Sequence, residues 1–271
     1  MMTTPKTNIH YLDKTLLSPP DPILLNVIGA GGTGSKFMTA LMEINHSLLE
    51  CDHPGLIVNL WDDDIITSAN VGRQRFAESE LGLFKSQAII NRLNRWAGTN
   101  WKAITKKFKR DENGDLPDQS GASILVSCTD TVFSRFEISE ILLQLNKRFN
   151  YHRDTPKYWL DLGNTKDTGQ VVLSTVGKVE QPRSKKYKTY DSLPSIIEEY
   201  QKADVTAEYE DDTPSCSLAE ALTKQDLFIN STIAQLGASL LWKLLRTGMT
   251  EHRGIFLNLK TFRSQPIVVG G

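Results

Sequence analysis

The chain has little cysteine and no two cysteines close together. Cys51, Cys128 and Cys216 are odd in number and far apart, and no Cys-x-x-Cys pair occurs. Neither a disulfide framework nor a structural zinc site is indicated, so no zinc is expected. Long apolar runs are also missing, and nothing approaches the roughly 20 residues that cross a bilayer. Met1–Tyr11 is polar and has no apolar centre of a secretory signal, which leads to the expectation of a cytoplasmic protein with no membrane partner. Neither sign of charge is in excess. The 31 Lys and Arg balance 32 Asp and Glu, which argues against nucleic acid as the main partner. The five histidines, His10, His46, His53, His152 and His252, form no Ser/His/Asp or Cys/His arrangement.

What is present is a glycine-rich turn in the right setting. Ile23–Ile28 is a short apolar run, long enough for a buried strand, and Ser35–Leu49 carries Phe37, Met38, Leu41, Met42 and Ile44 on a helical face. Between them stand Gly29, Gly31, Gly32 and Gly34. The spacing Gly29-x-Gly31-x-x-Gly34 between strand and helix matches a dinucleotide fingerprint, in which backbone N–H groups approach phosphates at a helix's positive end. A tight turn in an α/β core with no ligand is the plain alternative.

At 271 residues, one large α/β domain, or one domain with a sizeable insertion, is expected. Residues 1–22 read as a polar N-terminal extension broken by Pro5, Pro19, Pro20 and Pro22, and 23–271 as a single domain. Leu56–Trp61 is the second strand, parallel to the first across a helical crossover. Helices are expected over Phe84–Trp96, Val132–Phe149 and Gln225–Arg246. Further strands are expected over Trp101–Phe108, Ser123–Ser127, Tyr158–Leu162 and Gly169–Val176. Ile255–Phe262 and Pro266–Val269 close the chain as antiparallel strands. The charged stretch from about 180 to 215 reads as a mobile surface insertion or crossover with one short helix.

The second strand runs into Asp62-Asp63-Asp64, followed by Asn70, Arg73 and Gln74. An acidic residue at this strand end holds a ribose diol in nucleotide-binding α/β folds, which makes Asp62 the candidate. Arg and amide side chains suit polyphosphate oxygens, Arg because its fork of donors stays charged. A solvated charged loop is the alternative for the same residues. Lys85 stands near the start of its helix, where the macrodipole disfavours a cation, so its charge points to a ligand.

Together, Gly-x-Gly-Gly-x-Gly, Asp62-x-Asp64, Asn70-x-x-Arg73-Gln74, Lys85 and Cys128-Thr129-Asp130 resemble the ThiF/MoeB/ubiquitin-activating superfamily, in order and spacing, from residue 23 to about 175. The His53-Pro54-Gly55 turn, the Asp62–Gln74 loop and the Ser215–Ala221 segment resemble the PRTRC-system ThiF-family proteins more closely. The resemblance implies a Rossmann-like ThiF/MoeB adenylation fold, a parallel sheet extended by antiparallel C-terminal strands. It also implies ATP-dependent adenylation of the C-terminal glycine carboxylate of a ubiquitin-like or sulfur-carrier protein. In that family pattern Gly29–Gly34 pass close to the nucleotide, and Asp62 holds the ribose. Asn70, Arg73 and Lys85 contact phosphates, and Asp130 holds Mg²⁺, a hard cation suited to carboxylate and phosphate oxygens. Asp130 is equally placed to cap the helix beginning near Val132. Thr213–Leu218 resembles the segment whose cysteine receives the activated glycine as a thioester, which marks Cys216 as the acceptor. A small residue at a helix entrance is the other reading of Cys216.

The implied partners are the ubiquitin-like protein, a conjugating-enzyme-like protein, and a second adenylation domain in a homodimer or heteromer. The chain departs from the family in lacking the paired Cys-x-x-Cys motifs and any clear N-terminal arginine, with Lys6 and Lys14 alone nearby. No separate ubiquitin-fold or large catalytic-cysteine domain is expected within this length, and the terminal Gly270-Gly271 reads as a flexible end. Two competing classes remain. An NAD-dependent oxidoreductase on the same glycine loop leaves Arg73 and Lys85 without a role. A non-catalytic scaffold does not account for Asp62, Arg73, Lys85 and Asp130 together.

Overall fold

Apolar runs bounded by turns become strands, and the most apolar of them lie innermost. The computed structural model describes residues 6–71, 74–148, 155–202 and 226–271. In order, the chain forms β1 (Thr7–Tyr11), α1 (Lys14–Leu17), β2 (Ile23–Ile28), α2 (Gly32–Leu49), β3 (Leu56–Trp61), α3 (Lys85–Ala97) and β4 (Lys102–Ile104). Then follow β5 (Ile124–Ser127), α4 (Val132–Arg148), β6 (Tyr158–Asn164), β7 (Thr168–Thr175), β8 (Tyr187–Thr189) and α5 (Ile196–Lys202). The last elements are α6 (Ile229–Thr247), β9 (Met249–Thr250), β10 (His252–Asn258) and β11 (Arg263–Val268).

The main sheet has eight strands in the order β11-β10-β7-β6-β5-β2-β3-β4. Strands β4, β3, β2, β5 and β6 are parallel, and β7, β10 and β11 add on antiparallel. This is the mixed α/β architecture expected from the sequence. From β2 the chain moves outward to β3 and β4, then returns to β2's other side as β5. The strand order therefore reverses between β2 and β5, and the crevice at the carboxyl ends of these strands is where open α/β sheets bind ligands.

Alternation along the strands sends side chains into two cores. Leu25, Val27, Val58, Leu60, Ile124 and Val126 pack with Phe37, Met38 and Leu41 of α2, Ile89 of α3, and Ile233 and Leu241 of α6. On the other face, Ile28, Leu125 and Trp159 pack with Ile138, Ile141 and Leu145 of α4 and Ile196 of α5. Asn26 is tolerated in the middle of the sheet because every valence is used. Asn26, fully buried, donates from Nδ2 to the Gln119 and Ser120 carbonyls at 3.1 and 2.8 Å. Its Oδ1 accepts from Asn59 Nδ2 and Trp61 Nε1 at 3.0 and 3.1 Å. Replacing it with Leu strands these partners, each at about 1–3 kcal/mol. Asn26→Leu is therefore expected to lose about 3 kcal/mol or more in chemical denaturation, and an unchanged midpoint would refute this account.

The N-terminal stretch departs from expectation. Instead of an irregular extension, Thr7–Tyr11 is a strand, parallel to β8 and antiparallel to β9 in a second, three-stranded sheet. The physical reason is a long-range polar anchor that local composition does not reveal. His10 is fully buried, its Nδ1 2.7 Å from the Tyr190 carbonyl and its Nε2 2.9 Å from the Tyr158 hydroxyl. That hydroxyl also accepts from Asp13 N–H at 2.9 Å. A neutral ring protonated on Nδ1 satisfies all three groups.

Burial lowers the His10 pKa below its ordinary 6.5, so the folded state binds this proton less readily than the unfolded chain. The stabilisation is complete above pH 6.5 and is lost as pH falls from there through the lower folded value. His10→Gln is expected to flatten this acid-side fall in melting temperature. An identical pH dependence in mutant and wild type would exclude His10 as its source.

Other boundaries shift for identifiable reasons. α2 starts at Gly32, not Ser35, because first-turn N–H groups need no helical partner and glycine is tolerated there. β4 stops at Ile104, ahead of the charged Lys106-Lys107 pair. Within the charged stretch after residue 180, β8 and α5 form and Leu193 and Ile196 are buried, so this part is packed. Among the described residues, no helix is long and apolar enough to cross a membrane.

Candidate nucleotide-binding site

The glycine turn connects β2 to α2 at the point of strand-order reversal. Gly29 takes φ +94°, and a Cβ there would stand 2.7 Å from the Cys128 carbonyl oxygen. A Cβ on Gly34 would strike the Gly29 carbonyl oxygen, so β2, β5 and α2 meet with no room for side chains. Gly32 lies against the Asn230 side chain at the start of α6. Gly31 differs from the other three: a Cβ there would meet nothing within 4 Å. The turn thus presents open backbone at Gly31, the N-cap of α2, where no side chain caps the helix. Unsatisfied N–H groups and the positive helix end together suit an anion.

Asp62 follows β3 and closes over this turn. Its Oδ2 accepts from Ala30 N–H at 2.6 Å and its Oδ1 from Asp64 N–H at 3.0 Å. Burial pushes its carboxyl up to about 6; the Ala30 N–H and the Lys85 charge oppose the rise. Lys85, the first residue of α3, is 7% exposed, and its Nζ donates to Asp64 Oδ2 at 2.7 Å. Asp64 itself faces solvent. Ser86 Oγ donates to the Asp62 carbonyl at 2.8 Å, and Lys85 N–H to the Asp64 carbonyl at 2.9 Å. The start of α3 is thus laced to the Asp62–Asp64 segment, and Asp62, Asp64, Lys85 and the glycine turn form one continuous cluster.

The next loop is partly described. Asn70 Oδ1 accepts from Thr67 N–H and Oγ1 at 2.9 and 3.1 Å, which closes a single 3-10 turn. Gln74 is 7% exposed, and its buried Oε1 has no partner among the described residues. Arg73 lies outside the described residues, as does Cys216.

At the end of β5, Cys128 N–H donates to the Ile28 carbonyl at 2.7 Å, and burial pushes its thiol pKa strongly upward, away from nucleophilic use. Cys51 is exposed. Asp130 follows, exposed at the head of α4. It is not the helix cap. Thr131 performs that task, its Oγ1 accepting from Ser134 N–H at 3.1 Å, and the Asp130 carboxylate makes no hydrogen bond among the described residues. Beside it, the buried Thr129 Oγ1 has no partner among the described residues. The described residues contain no group of three or more His, Cys, Asp or Glu arranged to hold a metal.

Two groups near the site were not singled out from the sequence. Thr33 Oγ1 lies within 3.0 Å of Asn164 Oδ1 and 2.9 Å of Asn230 Oδ1, and so ties α2 to β6 and α6. Arg135 and Asp161 form a buried ion pair, Nε to Oδ1 at 2.8 Å, behind the Asp130 turn. A carboxylate inside the apolar run Tyr158–Leu162 was the available signal, since a buried charge requires a partner.

Comparison with known proteins agrees with this architecture. Crystal structures of E. coli MccB match over 94% of the chain. The complex with MccA superposes with TM-score 0.60 at 17% identity, and the complex with AMPCPP and MccA with TM-score 0.59 at 17% identity. The chain spans 65% of the MccB length in both. PaaA matches with TM-score 0.56 at 14% identity, covering 91% of this chain and 73% of PaaA. At these identities the likeness concerns the fold. No curated protein matches by sequence. The family model for ThiF matches residues 24–265, which takes in the glycine turn, Asp62, Lys85, the Asp130 turn and the antiparallel strand β10: the chain belongs to the ThiF family.

Proposed function

We propose that this protein is an ATP-dependent adenylating enzyme. Its substrate would be the C-terminal glycine carboxylate of a ubiquitin-like or sulfur-carrier protein, and the whole of 23–271 would act as one adenylation domain. The observation that carries this reading is the Asp62 hydrogen bond to Ala30 N–H, which joins a ribose-type carboxylate to an open glycine turn with buried Lys85 alongside. The AMPCPP and MccA named with E. coli MccB support a nucleotide and a second molecule bound together.

The chain's own groups fit ATP. The open side of Gly31 leaves space for phosphates, Asp62 has acceptor capacity for ribose hydroxyls, and Gln74 Oε1 and Thr129 Oγ1, without a partner among the described residues, offer further polar contacts. Asn70, Arg73 and Lys85 would take phosphate oxygens, with Lys85 exchanging Asp64 for the ligand. Asp130 would hold Mg²⁺ brought by the phosphates, since such a cation needs only one or two protein carboxylates. When bound, the ion supplies neutralising charge to the departing pyrophosphate.

The attacking carboxylate is already ionised, so no strong general base is needed. Positioning and charge neutralisation carry the attack on the α-phosphate. Cys216 would then attack the acyl adenylate as thiolate, release AMP and hold the acyl group as a thioester. A conjugating-enzyme-like protein would be the next acceptor, and a homodimer or heteromer the working assembly. Partners from a PRTRC system would fit the sequence resemblance of the Asp62–Gln74 loop and the Ser215–Ala221 segment.

ATP–pyrophosphate exchange tests the reading, with a ubiquitin-like partner, wild type and Cys216→Ala. Exchange by both, with a thiol-labile adduct in wild type alone, is the expected result. Exchange without any adduct would remove the thioester step. No exchange with any ubiquitin-like partner would remove that substrate class.

A further inference from the structure

Asp130 is exposed and makes no side-chain hydrogen bond among the described residues, so its placement comes from its backbone. That backbone is gripped on both sides by one residue. Arg135 Nη2 donates to the Thr129 carbonyl at 2.7 Å and Nη1 to the Thr131 carbonyl at 3.1 Å. The Thr129–Asp130 and Thr131–Val132 peptide units, one before and one just after Asp130, are therefore tied to a single guanidinium, whose rigid planar fork fits this task where an ammonium does not.

Arg135 is fixed in turn. Its Nε donates to Asp161 Oδ1 at 2.8 Å, and arginine and aspartate are 3% and 1% exposed. Asp161 Oδ1 also accepts from Ser127 Oγ at 2.7 Å, and Ser127 Oγ accepts from Trp159 Nε1 at 2.7 Å. Gln170 Nε2 donates to Asp161 Oδ2 at 3.2 Å and to the Tyr200 hydroxyl at 3.1 Å. A Cβ on Gly163 would strike both Gln170 Nε2 and, at 2.6 Å, Arg135 Nη2. Side chains from β5, β6, β7, α4 and α5 thus form one polar layer whose outward end is the Asp130 turn.

Such a layer is a poor device for stability alone, because a buried ion pair roughly breaks even against apolar packing of equal volume. Geometry is what it contributes. We propose that Arg135, held by Asp161, is the positioning residue of the Asp130 turn, setting the carboxylate where it meets nucleotide-borne Mg²⁺. The proposal rests on the cation role of Asp130 in the adenylation reading.

The test measures ATP binding by calorimetry with Mg²⁺ and with EDTA, and amide hydrogen exchange of residues 129–134 without nucleotide. It uses the full chain as wild type, Arg135→Lys, and the double variant Arg135→Met/Asp161→Asn, which leaves no lone buried charge. Both variants are expected to keep the EDTA affinity, to lose about 10–100-fold of the Mg²⁺-dependent gain, and to exchange faster at 129–134. A folded variant that keeps both the gain and the protection overturns the proposal. Failure of both variants to fold also overturns it, by making the layer a stability element. A wild type with no Mg²⁺-dependent gain refutes the cation role of Asp130, while exchange at 129–134 still decides whether Arg135 sets the turn.

Discussion

Lys85→Met should slow ATP–pyrophosphate exchange by about 10²–10³-fold, the usual loss when one charged donor to the transition state is removed from a shielded site. Methionine keeps the length and apolar body of the lysine stem, so packing of the first turn of α3 should survive. Stability should change little. The partner left behind, Asp64, faces solvent and rehydrates, and exposed or half-exposed ion pairs contribute little to folding.

The substitution has a second signature. Lys85 is one of the influences that hold the Asp62 carboxyl down against burial, which already raises it to about 6. Without that charge Asp62 should take up its proton at still higher pH. The acid limb of the exchange rate should then move to higher pH in Lys85→Met. A tenfold or greater drop with an unshifted limb would detach Lys85 from Asp62, and an undiminished rate would remove Lys85 from the reaction.

Gly34→Ala and Gly31→Ala should separate the two jobs of the glycine turn. A Cβ at Gly34 collides with the Gly29 carbonyl oxygen, a backbone atom that cannot swing aside, so β2 and α2 must move apart. A loss of about 3 kcal/mol or more is expected, at or beyond the upper end of overpacking costs and a large share of a typical domain's stability. Gly31→Ala meets no atom within 4 Å and should alter stability by no more than about 0.5 kcal/mol. Its Cβ stands where phosphates would approach, so ATP affinity should fall by about tenfold or more, the equivalent of 1.4 kcal/mol. Denaturation curves and calorimetric titration of both proteins check the pair. Unchanged ATP affinity in Gly31→Ala would place the nucleotide elsewhere.

Much of this was legible along the chain because it is local. The strand–glycine–helix order, the apolar strands and the helical face of α2 depend on residue types a few positions apart. Those spacings, with Asp62-x-Asp64, Lys85 and Cys128-Thr129-Asp130, sufficed to identify the ThiF fold. Local reading also located the strand ends from which Asp62 and Asp130 project.

What it missed depends on partners far apart in the chain. His10 made a strand of an apparently irregular N-terminus by meeting Tyr158 and Tyr190, 148 and 180 residues away. Asp130 offered itself as a helix cap, yet Thr131 took that place. Arg135 and Asp161 lie in separate elements, and each alone reads as an ordinary charge. Periodicity and spacing encode what neighbours along the backbone can do. Which buried charges and amides find each other was decided only when the sheet brought β5, β6 and α4 together, because desolvation forces every such group to a partner that sequence distance does not indicate.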